Sequence, residues 1–366
     1  MVERALGEFN GGDRVRLRFC GPAGASAHRT LVRSRPMEPA DPRFPAVPVA
    51  KGCYESWYLK AGDAASREAL WLRYTVHKRP GQAPVGSLWT TLFDGDGPHA
   101  AKATPPADAL AAGTGEGPVA TWLRIGEATI GAEGASGAVP GLASWELEFE
   151  GGEAPFPYLP SGWMYRAPLP RTKALSLVPG LRVAGTITVR GRTLTLDRWP
   201  GMIGHNWGAE HAERWIWLHG TAFDQQPDAW IDMIVGRILI GGRMTPWIAN
   251  GCLSVDGRRH RLGGIGRLRS TRIDELPERA TFWVTGDDVA IRGSVGAPPG
   301  DVVGWVYSDP DGAEHNTAHS AIADMRLTVA RRSLPPLELA VAGGATYELG
   351  MRERDHGIPL QPFSDP

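Results

Sequence analysis

The chain is poor in cysteine, has no long apolar run and shows no excess of either charge. Its three cysteines, Cys20, Cys53 and Cys252, are odd in number and far apart among 366 residues. That arrangement excludes a disulfide framework and a zinc-knuckle pattern. Each reads as a buried free thiol, which fits a reducing cytoplasm. No apolar stretch approaches the roughly 20 residues of a membrane span. Residues 1–18 mix acids, bases and glycines, so no secretory leader is expected. Lys and Arg (39) balance Asp and Glu (40) to a net charge of −1. No basic surplus is left to hold a phosphate backbone, and nucleic acid is not an expected partner. Sustained 3.6-residue periodicity is also missing, so helices should be few and short, with one turn at most over 66–70.

The sequence does have tryptophan: 14, against 9 Phe and 7 Tyr. Glycine (47) and proline (31) are scattered as turn punctuation. Short strands carrying wide aromatic side chains point to an all-β protein built as barrels or sandwiches around something apolar. Strand patterns fall at 71–77, 85–93, 121–130, 144–149, 181–189, 193–196, 214–223 and 229–240. They continue at 280–284, 289–295, 302–308, 319–329 and 346–352. Turn clusters such as Asp94-Gly95-Asp96-Gly97 and Asp309-Pro310-Asp311-Gly312 separate them. In 319–329 the alternation puts His319, Ala321, Ala323, Met325, Leu327 and Val329 on one face. The length suits two domains. The five prolines of 154–171 read as a linker. The expected division is therefore an irregular segment 1–45, a β-rich domain 46–200 and a second 201–366, with the boundary somewhere between 154 and 204.

The segment 204–217 reads Gly-His-Asn-Trp-Gly-Ala-Glu-His-Ala-Glu-Arg-Trp-Ile-Trp. It opens on a turn-like Gly204 and enters a strand with Trp215 and Trp217 at alternate positions. A hairpin turning at 224–228 returns through Trp230, Ile231, Asp232 and Met233. Asp232 is the odd residue, since a carboxylate among apolar strand neighbours is costly unless paired or neutral. Desolvation raises such a carboxyl, so Asp232 can stay a neutral acid near pH 7. Beside tryptophan faces it could then protonate an alkene and leave the π faces to stabilise the cation. The alternative is a structural acid that pairs with backbone or with Arg237 or Arg243. His205 likewise admits a structural or a functional reading. His205 with His211, or His315 with His319, would be a metal pair lacking its third ligand, so no metal is expected. Gly241-Gly242 and Gly263-Gly264-Ile265-Gly266 lack a following helix and read as β-turns, and no cofactor is expected. No Gly-x-Ser-x-Gly elbow is present.

A second segment runs Tyr54-Glu55-Ser56-Trp57-Tyr58-Leu59-Lys60. Alternation places Cys53, Glu55 and Trp57 on one face and Tyr54, Ser56 and Tyr58 on the other. This segment resembles the aromatic–Glu–small–Trp–Tyr stretch near the start of tocopherol-cyclase-like proteins. His205-Asn206-Trp207-Gly208 followed by Trp215-Ile216-Trp217 is similar to the Asn-Trp-Gly … Trp-x-Trp segment shared with carotenoid hydratases (hydroxyneurosporene synthases). The resemblance implies two lipocalin-like antiparallel β-barrels in tandem. It also implies that His205, Trp207 and Asp232 act in protonating an isoprenoid double bond. Trp230 stands where the hydratases tend to have Tyr, which leaves a phenolic proton relay without its usual residue.

The expected activity is acid-catalysed hydration or cyclisation of a carbon–carbon double bond in an apolar, isoprenoid-derived molecule, a lyase or isomerase reaction. Asp232 would be the donor and His205 would orient it. Trp207 belongs to the same group, and Trp215, Trp217, Trp230, Glu55 and Trp57 would line the pocket. The alternatives are a non-catalytic lipid or pigment carrier and a pericyclic cyclase acting by shape. The expected partner is an apolar small molecule, with peripheral membrane contact in a cytoplasmic setting. The readings separate on whether Asp232 and His205 face one enclosed cavity, because a register slip of one residue moves a side chain to the other face.

Overall fold

The computed structural model describes residues 38–113, 120–363 and 365–366. Cys20 and most of the 1–45 segment lie outside these residues. No α-helix occurs among them; the helical turns are 3-10 segments such as Phe44–Ala46 and Ile265–Ser270. Among the described residues no helix is long and apolar enough to cross a membrane. The all-β reading holds.

Two antiparallel sheets follow one another along the chain. The first contains β1 (Cys53–Asp63), β2 (Glu68–Lys78), β3 (Val85–Asp94), β4 (Gly97–Ala103), β5 (Leu110–Ala112) and β6 (Thr121–Ile125). It continues with β7 (Ala128–Gly131), β8 (Gly134–Val139), β9 (Ala143–Gly151), β10 (Phe156–Pro157), β11 (Thr172–Val189) and β12 (Arg192–Gly208). Its order is β4-β3-β2-β1-β12-β11-β9-β8-β7-β6-β5, with β10 beside β11. After 209–213 come β13 (Arg214–Phe223), β14 (Gln226–Arg237), β15 (Leu239–Ile240), β16 (Arg243–Met244), β17 (Ile248–Val255) and β18 (Arg258–Gly263). Then follow β19 (Arg272–Leu276), β20 (Arg279–Thr285), β21 (Val289–Gly296), β22 (Val303–Ser308), β23 (Glu314–Arg331) and β24 (Leu337–Met351). The second sheet runs β18-β17-β14-β13-β24-β23-β21-β20-β19, with β22 on β23, and β15 pairs only with β16.

The proline-rich stretch 154–171 does not separate the sheets, because β11 beyond it rejoins β9 in the first. The change of sheet falls at 209–213. Gly204 is likewise no turn. It sits inside β12, opposite Tyr58 of β1, where a Cβ would fall within the Tyr58 ring. The 121–130 pattern is a hairpin that turns at Gly126, whose φ of 61° suits a residue without Cβ.

Period-2 alternation gives each sheet two buried faces. On β1 and β12, Trp57, Leu59, Ala61 and Ile203 enter the core of the first sheet, while Tyr58 and Met202 enter a different cluster. On β13 and β14, Ile216, Leu218, Ile231 and Met233 enter the core of the second sheet. Trp217 leaves that core for the cluster that also holds Tyr58, Trp71, Trp89 and Trp305. This third cluster therefore lies between the sheets. A bulge in β23, between Ser320 and Met325, breaks the single face expected for 319–329. Ala323, Met325, Leu327 and Val329 fill the second core. Ala321 joins the layer between the sheets, and His319 packs there on Trp71 and Trp217.

Candidate functional site

The eight expected site residues fall into two groups on opposite faces. Register pairs Glu55 with Trp207 and Trp57 with His205, so these four share the inner face of the first sheet. His205 is fully buried, with Nδ1 2.9 Å from the Pro39 carbonyl oxygen and Nε2 2.8 Å from Glu55 Oε1. Its ring stacks on Trp57 at 4.4 Å. Glu55 also accepts backbone N–H bonds from Arg43 (2.9 Å) and Phe44 (2.8 Å), which ties the segment before β1 to the sheet. Trp207 lies under the Arg43 guanidinium. Both His205 nitrogens are engaged, and none of the four residues lines the cavity between the sheets. His205 and Asp232 do not share a cavity.

That cavity has a volume of about 120 Å³. Tyr58, Trp71, Trp215, Trp217 and Tyr307 wall it, with Arg73, Asn206, His211 and Glu348 as polar points. Two glycines make room for the walls. Gly204 lies beneath the Tyr58 ring, and Gly350, opposite Trp215, lies beneath the Trp215 ring. Tyr58 meets Trp217 edge to face at 5.0 Å. The Arg73 guanidinium sits 4.1 Å over Tyr307, and its Nε donates to Ser56 Oγ at 3.2 Å.

Two buried carboxylates flank the wall. Asp232 is fully buried behind Trp217, whose Nε1–H donates to Oδ1 at 3.0 Å. The Tyr158 hydroxyl donates to Oδ2 at 2.7 Å. Burial pushes the Asp232 carboxyl up to about 6, against the opposing pull of Ser176, Tyr158 and Trp217. At pH 7 the ionised form is therefore the majority, and the neutral acid expected from the sequence dominates only below about 6. His219 Nδ1 lies 4.0 Å from Oδ1. Its ring is held neutral by burial and by nearby Lys60, itself lowered to about 7 by burial. Glu348 stands on the cavity wall. It accepts the Trp215 indole N–H at 3.0 Å and the Tyr307 hydroxyl at 3.0 Å, with His319 Nδ1 3.3 Å away. Burial works to raise its carboxyl, but His319, Trp215 and Arg73 outweigh it, and it titrates below its ordinary value.

Of the expected lining residues, Trp215 and Trp217 are in the wall. Trp230 shares a face with Asp232 but turns away, giving its Nε1–H to Glu153 at 2.7 Å under the Arg259 guanidinium. The phenol missing at position 230 comes from elsewhere. Tyr158, in the proline-rich stretch, reaches Asp232, and the Tyr58 and Tyr158 hydroxyls interact. Tyr158, Arg73, Tyr307, His319 and Glu348 were not singled out from the sequence as site residues. The alternation of β1 did place Tyr58 on the correct face. The two imagined histidine pairs regroup as well. His211 and His315 come together, and Asp309 completes the cluster.

No family model matches the chain. An uncharacterized protein of Mycobacterium tuberculosis is 26% identical over 332 residues, covering 90% of this chain and 94% of its own. Among solved structures, a Nitrosomonas europaea protein assigned as AttH superposes with a TM-score of 0.51 at 10% identity. It covers 82% of this chain and 92% of its own. CghA superposes with a TM-score of 0.54 at 12% identity, covering 82% and 88%. Kievitone hydratase of Nectria haematococca gives 0.46 at 9% identity over 82% and 88%. The chain has the fold of AttH and CghA, and at these identities the likeness is one of fold.

Proposed function

We propose that the cavity between the sheets protonates a carbon–carbon double bond of an apolar, isoprenoid-type molecule, and that hydration or cyclisation follows. The observation that carries this reading is the pair of carboxylates at one aromatic wall, Asp232 raised to about 6 and Glu348 lowered. Two carboxyls driven apart by their surroundings mark an acid and a base. Asp232 does not itself line the cavity, so its proton travels through Tyr158 to Tyr58, whose ring does. Tyr58 meets the substrate, and because burial makes its phenol a weaker acid than usual, it gives up its proton only as Asp232 replaces it through Tyr158 in one concerted relay. The faces of Trp71, Trp215 and Trp217 and the Glu348 carboxylate stabilise the cation that forms. Water that loses its proton to Glu348 gives an alcohol. An internal hydroxyl that loses its proton to Glu348 gives a ring, and an internal alkene closes a ring and leaves a new cation that is neutralised by loss of a proton to Glu348.

The two half-chain sheets are read as lipocalin-like units with the ligand between them. A cavity of about 120 Å³ is comparable to the ~150 Å³ void that accommodates benzene. It would take the branched end of a substrate while the rest of the molecule extends through the mouth. Next to the mouth, a second hollow shares Thr172, His211 and Ala212 with the cavity and is edged by exposed Leu169, Leu239 and Ile240. That apolar rim suits transfer of a water-insoluble substrate from a membrane surface.

The test is incubation of the purified protein with isoprenoid alkenes bearing a trisubstituted double bond, in D₂O or H₂¹⁸O. Hydration adds the elements of labelled water, and cyclisation adds deuterium without oxygen. Asp232→Asn should reduce label uptake by about 10²–10⁴-fold, the range of a general acid, while thermal melting stays cooperative. Unchanged uptake in the variant would refute the acid role. Bound ligand recovered unlabelled from the wild type would favour a carrier.

A further inference from the structure

Asp309, His211 and His315 lie together at the edge of the same layer, outside the protonation machinery. The hairpin joining β22 and β23 fixes two of them. Asp309 N–H donates to the Ala313 carbonyl at 2.7 Å, Gly312 N–H donates back to the Asp309 carbonyl at 2.8 Å, and Tyr307 pairs with His315. The third arrives from the crossover between the sheets. His211 gives its backbone N–H to Asp309 Oδ1 at 2.7 Å, and its Nδ1 lies 2.6 Å from the same oxygen. The His211 ring is held flat against Tyr54 at 3.9 Å, with Trp215 on its other contact at 5.4 Å.

The side chains of Asp309 and His315 are fully buried and that of His211 is 8% exposed. Yet four of their polar atoms find no hydrogen-bond partner: His211 Nε2, Asp309 Oδ2 and both nitrogens of His315. The nearest approach, His315 Nδ1 to Asp309 Oδ2, is 3.6 Å, too long for a hydrogen bond. The Ala212 backbone interacts with His315 but lacks hydrogen-bond geometry. Orphaned polar atoms at buried positions are costly, and native proteins rarely tolerate several in one place.

We propose that His211, Asp309 and His315 form a binding site for a divalent transition-metal ion of borderline softness, of the zinc or cobalt type. One ligand atom from each residue lies within 4.8 Å of the others. A tetrahedral ion with bonds of ~2.0–2.1 Å needs separations of about 3.3 Å. Closing that gap takes rotation of side chains already held on rigid elements. Two imidazoles and one carboxylate are a donor set suited to such an ion, and three protein ligands leave a coordination position open. Because His211 and Tyr307 also line the cavity, the ion would border the proposed substrate space. The site stands on its own geometry and does not depend on the protonation chemistry.

The experiment uses the full chain, stripped with EDTA, dialysed free of chelator and titrated with Co²⁺. Three readouts apply: visible d–d absorption, metal content after gel filtration, and melting temperature. The wild type should bind one equivalent, develop d–d bands and melt higher with the ion. His315→Ala and Asp309→Asn should each weaken binding at least tenfold and lose the thermal shift. His99→Ala, at a separate histidine paired with Asp94, should bind like the wild type. Circular dichroism of the metal-free variants separates loss of the site from loss of the fold, and His315→Gln serves if His315→Ala unfolds. Failure of the wild type to bind Co²⁺ or Zn²⁺ at micromolar concentration would overturn the proposal. So would one equivalent retained undiminished by both site variants.

Discussion

Glu55 and Asp232 are both buried carboxylates set near a histidine and a tryptophan, one on the inner face of the first sheet and one between the sheets. Glu55 receives three donors, the Arg43 and Phe44 backbone N–H groups and His205, and its environment is saturated. Asp232 is bonded by Tyr158 and Trp217, with Ser176 also favouring its ionised form, yet burial prevails and its carboxyl is pushed up to about 6. The first arrangement fixes a segment of chain. The second raises a carboxyl behind an aromatic wall. Both are buried carboxylates, and what separates them is what they border: Glu55 fastens a neighbouring segment of chain, whereas Asp232 backs onto a wall of the cavity.

The comparison breaks most sharply at Glu55. Glu55→Ala removes one partner of a buried pair and leaves His205 Nε2 without its partner, at a cost of about 3–5 kcal/mol. Urea unfolding should show this as a large fall in midpoint, and a loss under 1 kcal/mol would mean that Glu55 is not the fastening described. Asp232 should behave in the opposite way. Its folded value lies above its ordinary one, so the fold favours the neutral form. The associated stability is whole below about pH 4 and is lost as pH rises through 6. From pH 4 to pH 7 the wild type should lose roughly 2 kcal/mol relative to Asp232→Asn, since each pKa unit is worth ~1.4 kcal/mol and part of the linkage lies below pH 4. Parallel unfolding curves across that range would show that the carboxyl is not displaced. Gly204→Ala presses a methyl into the Tyr58 ring. It should cost about 1–3 kcal/mol by overpacking and distort ligand binding before it unfolds the protein. Trp217→Phe should have the smallest effect. It keeps the wall but deletes one N–H bond worth ~1 kcal/mol, so the Asp232 carboxyl should move further up by less than about one unit.

Much of this architecture was legible in the sequence because strands write their faces at period two. Alternation separates Tyr58 from Trp57 and puts Trp215 and Trp217 on one face of a strand, as in the structure. Asp232 stood out because it interrupts apolar neighbours. What alternation could not give was the pairing of faces across the two sheets. Glu348 and His319 come from β24 and β23, more than 80 residues beyond Asp232, and look like ordinary strand polars until the sheets stack. Tyr158 was hidden for a different reason. Its stretch reads as a proline-rich linker, and nothing local shows that an irregular segment delivers a phenol to a buried acid. His205 misled because it is close in sequence to Trp215 and Trp217. It lies at the end of one sheet and they lie at the start of the next, so the crossover at 209–213 puts them on opposite sides of β12.

The central claim is that the Asp232 carboxyl, buried behind the cavity wall, takes up its proton near pH 6, well above an ordinary aspartate. The direct measurement is a ¹³C NMR titration of the side-chain carboxyls in protein labelled at aspartate, with the Asp232 signal assigned by its absence from Asp232→Asn. The account predicts a midpoint close to 6 that moves when an apolar ligand fills the cavity. A midpoint at or below the ordinary aspartate value near 4, unmoved by ligand, would contradict it.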